Sequence, residues 1–441
     1  MSSADLITSL PNDWKLIPLK HTCNVSVSNV DKLTFDDEIP VRLCNYTDVY
    51  KNERISADAE LMKATATPQE IERFHLEVGD IVITKDSESW NDIAIPAYVE
   101  NTADDFVCGY HLALIRPRKD VLDGRFLLRC MQSRSIALQL ELKATGVTRY
   151  GLPKDAIALA VLPLPPLESQ RIIANYLDRE TARIDKLIAE KERMLALLDE
   201  KRSALISRVV TRGLDPNAPL KDSGLEWLGE IPAHWQKPQL RFVCSSLQIG
   251  PFGTQLHAEE YIDNGIPLIN PAHLKGNRIS PDFRVSVDEL TAERLAVHRL
   301  EEGDIVFGRR GELGRCGVVQ SDQVGWLCGT GSLRARCNRA KVDPEYVALV
   351  FNSTSASMRL SLESVGSTMD NLNTEMLGHF RIPLPPLMEQ ENIVRAAQSG
   401  QHIFSALHAN LQTSIKLSIE RRTALITAAV TGQIPLEEMA G

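Results

Sequence analysis

The sequence contains no apolar run approaching 18 residues, no Cys-x-x-Cys pair, no His-Glu-x-x-His and no GxxxxGK[ST]. Each absence removes a class: membrane-spanning helices, the common zinc and dithiol sites, and two large groups of hydrolases and nucleotide-binding enzymes. The N-terminal MSSADLITSL lacks the basic start and long apolar stretch of a signal peptide, so the expected setting is the cytoplasm, without a membrane partner. Eight cysteines are scattered with no histidine at zinc-ligand spacing. They read as reduced, buried small hydrophobes, and no metal site is expected.

Catalytic motifs are missing too. A DNA adenine methyltransferase needs an Asn/Asp-Pro-Pro-aromatic loop and a glycine-rich cofactor motif. Leu164-Pro165-Pro166-Leu167 has the prolines without the amide, and Gly308 to Gly314 has the wrong glycine spacing for a dinucleotide fingerprint. An Asp…Glu-x-Lys nuclease pattern, Asp123 with Glu141-Leu142-Lys143, reads better as surface charges on a helix. No catalytic residue is assigned. The net charge of −9 excludes a simple polycation, so any nucleic-acid surface has to be local.

What the chain has is duplication. Its 441 residues, 43% hydrophobic and 24% charged, have an ordinary globular composition and allow roughly two to four domains. Pro163-Leu164-Pro165-Pro166-Leu167-Glu168-Ser169-Gln170 returns 220 residues later as Pro383-Leu384-Pro385-Pro386-Leu387-Met388-Glu389-Gln390. Residues 200–207 (EKRSALIS) return at 420–427 (ERRTALIT), Leu10-Pro11-Asn12-Asp13-Trp14 returns as Ile231-Pro232-Ala233-His234-Trp235, and Gly79-Asp80-Ile81-Val82 as Gly303-Asp304-Ile305-Val306. The offset stays between 220 and 224, which implies two equivalent halves.

Each proline run forces extended backbone and a fresh helix start. Glu168 suits the first helical turn, and the pattern then runs without Pro or Gly to Arg212, with Gly213 as the terminator. Leu177, Ile184, Leu198 and Leu205 fall on a seven-residue repeat, with Ile188, Leu195 and Val209 four residues after heptad positions. Lys191 and Arg202 interrupt this seam. A helix about 63 Å long at 1.5 Å per residue needs a partner for its apolar face. Ala397, Phe404, Leu411 and Leu425, closed by Gly432, supply one in the same register. Antiparallel pairing relates the halves by a pseudo-twofold axis.

The expected fold is therefore α+β: two mixed α/β globular domains joined by two long helices forming an antiparallel coiled coil. The boundaries read as 1–161, 162–213, 214–381 and 382–441. In the first domain Val41-Arg42-Leu43, Asp80 to Thr84 and Leu112 to Ile115 read as strands, Gly124 to Met131 as a helix, and Thr145 to Gly151 as a loop.

Together these duplicated motifs resemble the DNA-specificity (S) subunit of type I restriction-modification systems, over essentially the whole chain. The resemblance implies two target-recognition domains, each reading one half of a bipartite site on double-stranded DNA. The helices between them would set the spacer and dock two methyltransferase (M) subunits, with restriction (R) subunits as further partners. It implies no cofactor in this chain; S-adenosylmethionine, ATP and magnesium would sit on the partners. The competing reading is a coiled-coil protein-interaction scaffold without DNA specificity.

Sequence reading of DNA requires basic and amide groups on loops held by a rigid scaffold. Arg309, Arg310 and Arg315 fall in the glycine-punctuated loop after the second GDIV, and Lys85, Ser87 and Asn91 in the more acidic loop after the first. Thr148, Arg149 and Tyr150 precede the first proline run as Thr368, Met369 and Asp370 precede the second. Different side chains in matching places are what two readers of different sequences require. Gln255 and His257 complete the candidate set.

Overall fold

The computed structural model describes residues 10–311, 313–364 and 371–440. By compactness the chain falls into two units, one made of residues 1–192 together with 412–441 and the other of 193–411.

The first unit is built on a five-stranded sheet in the order Cys23–Val27, Leu112–Pro117, Ile81–Thr84, Pro96–Asn101, Arg54–Ser56. A smaller sheet places Ile39–Cys44 between Met62–Ala66 and Phe106–Cys108. The three expected strands are all present, as is the Gly124–Gln132 helix. Asp123 caps that helix by accepting the N–H groups of Arg125 and Phe126, and Glu141 is buried against Arg134. The nuclease-like pattern is thus structural, but it is not the surface charge pair expected, since Glu141 is buried and Lys143 lies beyond the helix end. A second expectation is corrected: residues 145–151 form a hairpin, Thr145–Gly146 pairing with Tyr150–Gly151, because the latter also pairs with Asp86–Ser87. Gly146 has φ +146°, and a Cβ there would stand 1.9 Å from the Arg149 carbonyl oxygen, so only glycine turns this corner.

The second unit repeats the scheme with a four-stranded sheet, Cys244–Ile249, Ser332–Cys337, Asp304–Gly308, Cys316–Val318. The repeated motifs find their physical causes in these repeated cores. The GDIV aspartates are buried, accept the N–H of Glu77 or Glu301 at 2.8 Å, and are gripped by Arg116 or Arg336 from the neighbouring strand. The final glutamines of the proline motifs are fully buried. Gln170 accepts the Asp123 N–H and donates to the carbonyls of Val121 and Pro165. Gln390 does the same with Asp343, Lys341 and Pro385.

The long helices are Leu167–Arg212 and Leu387–Val430. Gly213 and Gly432 both follow them at φ +72°, the left-handed turn that ends a helix. Each glycine abuts a tryptophan of the [LI]PxxW motif, Gly213 against Trp235 and Gly432 against Trp14. In the first unit Asp185 meets Arg422 at 2.8 Å, and Lys191 donates to the Ser418 hydroxyl at 3.0 Å. In the second unit Gly400 lies against Leu205, and Gly213 against Glu389. Numbers rise along one helix as they fall along the other, so the pairing is antiparallel in both. Leu177, Ile184 and Val209 are buried as the heptad requires, but Leu205 is 39% exposed. The interrupting Lys191 and Arg202 are half-buried within the seam instead.

All eight cysteines are free, seven of them buried. Burial pushes the Cys23 thiol up to about 11 and that of Cys328 up to about 12. No group able to hold a metal ion occurs among the described residues, nor any helix long and apolar enough to cross a membrane.

Candidate nucleic-acid interface

In the first unit the candidate residues converge where the Ile81–Thr84 strand leaves the main sheet. The Lys85 N–H donates to the His111 carbonyl at 3.0 Å, and the Lys85 carbonyl accepts from Leu152 at 2.8 Å. This frame lays the 145–151 hairpin beside Asp86–Ser87 and puts Thr148 and Arg149 at its exposed tip. The side chains form a charged chain. Lys85 Nζ and His111 Nδ1 both stand 2.7 Å from Asp86 Oδ2, and an Arg149 amino nitrogen lies 3.3 Å from the His111 ring. Burial raises the Asp86 carboxyl, but the hydrogen bonds from Lys85 and His111 outweigh it and hold the group below the usual range. Tyr110 is exposed, its ring 4.0 Å from that of His111, with Lys85 Nζ 5.2 Å from its centre.

Tyr150 is half-buried in the hairpin. Asn91 is exposed, its side-chain oxygen accepting from Ser89 Oγ at 2.6 Å. Ser87 is buried, and its hydroxyl accepts the Ser89 N–H, so it shapes the turn from inside.

The second unit repeats the frame with other side chains. The Arg309 N–H donates to the Gly331 carbonyl, and the Arg309 carbonyl accepts from Leu372, both at 3.0 Å. Arg309 Nε donates to the Leu372 carbonyl and Arg310 Nε to the Asn371 side chain. Burial and the neighbouring Arg310 hold the Arg309 guanidinium below its ordinary value. Arg315 is half-buried, its carbonyl accepting from Gly308 while its Nε has no hydrogen-bond partner among the described residues. Gln255 and His257 are exposed on a separate loop. That loop meets the Gly329–Ser332 turn through the bond from the Gly250 N–H to Ser332. Its Gln255 carbonyl is held by Arg294, and Gln255 Oε1 accepts from Phe252. Thr368, with Gly366, Met369 and Asp370, lies outside the described residues.

Sequence reasoning missed Tyr110 and His111. The signal was present: Cys108-Gly109-Tyr110-His111-Leu112 corresponds to Cys328-Gly329-Thr330-Gly331-Ser332 at the same 220 offset. In both turns the glycine N–H donates to a strand-end carbonyl, Cys44 or Ile269.

The chain is similar to known proteins in sequence and in fold. A family model described as the type I restriction modification DNA specificity domain matches residues 11–195 and 248–417. The MjaVIII specificity subunit of a type I restriction enzyme from Methanocaldococcus jannaschii is 22% identical over 74% of this chain and 73% of its own length. The EcoKI specificity subunit of Escherichia coli K12 is 25% identical over 72% and 67%. Among solved structures, an HsdS subunit from Thermoanaerobacter tengcongensis aligns over 97% of this chain and 98% of its own, at 18% identity and TM-score 0.56. A chain from a study of assembly and conformational transition of a type I restriction-modification system aligns over 97% and 100%, at 19% identity and TM-score 0.72.

Proposed function

Since the chain belongs to the type I restriction-modification DNA specificity family, whose members are the non-catalytic specificity subunits of their complexes, we propose that its two units read the two halves of an asymmetric bipartite DNA site. One observation carries the proposal: the same backbone frame holds Lys85 under His111 in one unit and Arg309 under Gly331 in the other. An identical scaffold with different donors and acceptors presents two base preferences in equivalent geometry.

The two long helices set the spacer between the half-sites. They also dock the methyltransferase subunits, a reading supported by apolar side chains left exposed on them: Leu187 and Leu417 in the first unit, Met194, Leu197, Ile403 and Leu407 in the second. S-adenosylmethionine, ATP and magnesium are assigned to partner subunits, and restriction subunits join through the assembled complex. Selection of sites from random duplex DNA, with the full chain and its methyltransferase partner, is the test. It should enrich two different half-sites at a fixed spacing. Enrichment of nothing would leave the protein-interaction scaffold as the better reading, and a single contiguous half would overturn the bipartite one.

A further inference from the structure

We propose that His111 is the specificity-determining residue of the first unit, its ring presented by Asp86 so that Nε2 accepts a hydrogen bond from an exocyclic amino group of adenine or cytosine. This rests on the DNA-reading proposal and goes further by naming an atom and the chemistry it recognises.

Position 111 is one place where the two frames differ. Its carbonyl performs the same task as that of Gly331, yet it carries a ring on a left-handed backbone, φ +71°. That conformation is uncommon for residues other than glycine, although Asn, Asp and His are enriched in it, and a side chain kept in it is grounds to look for a role. In the second unit a Cβ at Gly331 would stand 2.9 Å from Pro271 Cδ, so that frame admits no side chain there without displacing its neighbour.

The ring is held from three sides. Asp86 Oδ2 sits 2.7 Å from Nδ1, and a carboxylate accepts only. In the neutral ring the proton is therefore on Nδ1, and Nε2 becomes the acceptor. Tyr110 packs against the ring at 4.0 Å, and an Arg149 amino nitrogen from the hairpin tip lies 3.3 Å from Nδ1 and 3.4 Å from Nε2, so Arg149 holds the acceptor position that the base amino group takes over when DNA binds. Asp86 also takes Lys85, so it is a positioning residue for both.

An acceptor of fixed orientation discriminates between donor and acceptor base edges in the major groove, where adenine N6 and cytosine N4 are the donors.

The test is site selection with the full chain and its methyltransferase partner, comparing wild type with His111→Gly, His111→Asn, Asp86→Asn and Arg309→Ala. Glycine reproduces the second unit's residue, and asparagine tolerates the left-handed backbone, so neither is expected to fail to fold. H111G should lower discrimination at one base pair of one half-site by about tenfold, leaving the other half-site and the spacing unchanged. R309A should act on the opposite half. D86N should alter preference at the same base pair as H111G, and it should add nothing to preference in the H111G background. A uniform loss of affinity with both half-site sequences intact would overturn the role of His111 while leaving the bipartite reading standing. A wild-type chain that enriches no sequence would remove both.

Discussion

At the scale of single residues the two glutamines of the proline motifs show why a short sequence signature persists through a duplication. Gln170 closes three backbone bonds at once, between a helix N-terminus, a loop and the proline run. Replacing it by alanine takes the side-chain partner from one buried carbonyl, that of Pro165, and from a half-buried N–H and a half-buried carbonyl, and a fully buried orphan costs about 1–3 kcal/mol. Gln170→Ala should therefore destabilise the first unit by at least about 2 kcal/mol in a urea titration; a midpoint unchanged within error would refute this account. His298 illustrates the opposite case. It is 4% exposed, and neither ring nitrogen makes a well-aligned hydrogen bond among the described residues. Burial and the neighbouring Arg334 depress its proton affinity. Phe74 holds the matching place in the first unit, two residues before Leu76 as His298 is before Leu300, with the N–H of each leucine bonded to the Phe106 or Trp326 carbonyl. The unfolded chain protonates this imidazole near its ordinary value of about 6.5 while the folded one stays neutral, so stability falls as pH drops below that value. His298→Phe should hold or raise the melting temperature at pH 7 and weaken its decline between pH 7 and 5. An unchanged pH slope would show that His298 is not its source.

At the scale of elements, both helices were legible because their signals are local: prolines before, apolar residues at helical spacing along them, glycine after. The seam was legible only in part. Leu205 keeps the heptad spacing yet is partly exposed, while Lys191 is tolerated inside because Ser414 and Ser418 of the opposite helix accept its protons, and the heptad pattern alone does not say which helix supplies them. The candidate site follows the same division. Lys85 and Arg149 were found by type and position, but their convergence depends on the pairing of Tyr150–Gly151 with Asp86–Ser87, a pairing across more than sixty residues of sequence. That same pairing buries Ser87. His111 was passed over because a turn before a strand carries no periodic signal. For the helices themselves, four residues inserted after Glu190 add about 6 Å, or roughly two base pairs. Site selection should then return the two original half-sites with a longer spacer; altered half-sites would mean that the helices do not measure it.

For the whole molecule the balance of charge matters more than its total of −9. Lys85 in the first unit is tied to Asp86, whereas among the described residues the Arg309 and Arg310 guanidinium groups of the second bond to a carbonyl and an amide. The second half should accordingly supply more of the phosphate affinity. Replacing both arginines by alanine is expected to reduce the slope of log affinity against log salt by about 2, roughly 1 for each phosphate no longer neutralised, whereas Lys85→Ala should change it little. Equal slopes for the two variants would refute the division.

The composition of the two units also orders their formation in time. The second is one uninterrupted stretch, residues 193–411, but the core of the first includes Ile426, Ala429, Val430 and Met439. At about 5–20 residues per second of synthesis, the first unit waits roughly 10–45 s after its own early segment has been made. The half of the protein begun first is thus the last to close, and a chain that terminates early forfeits its oldest core before its newest.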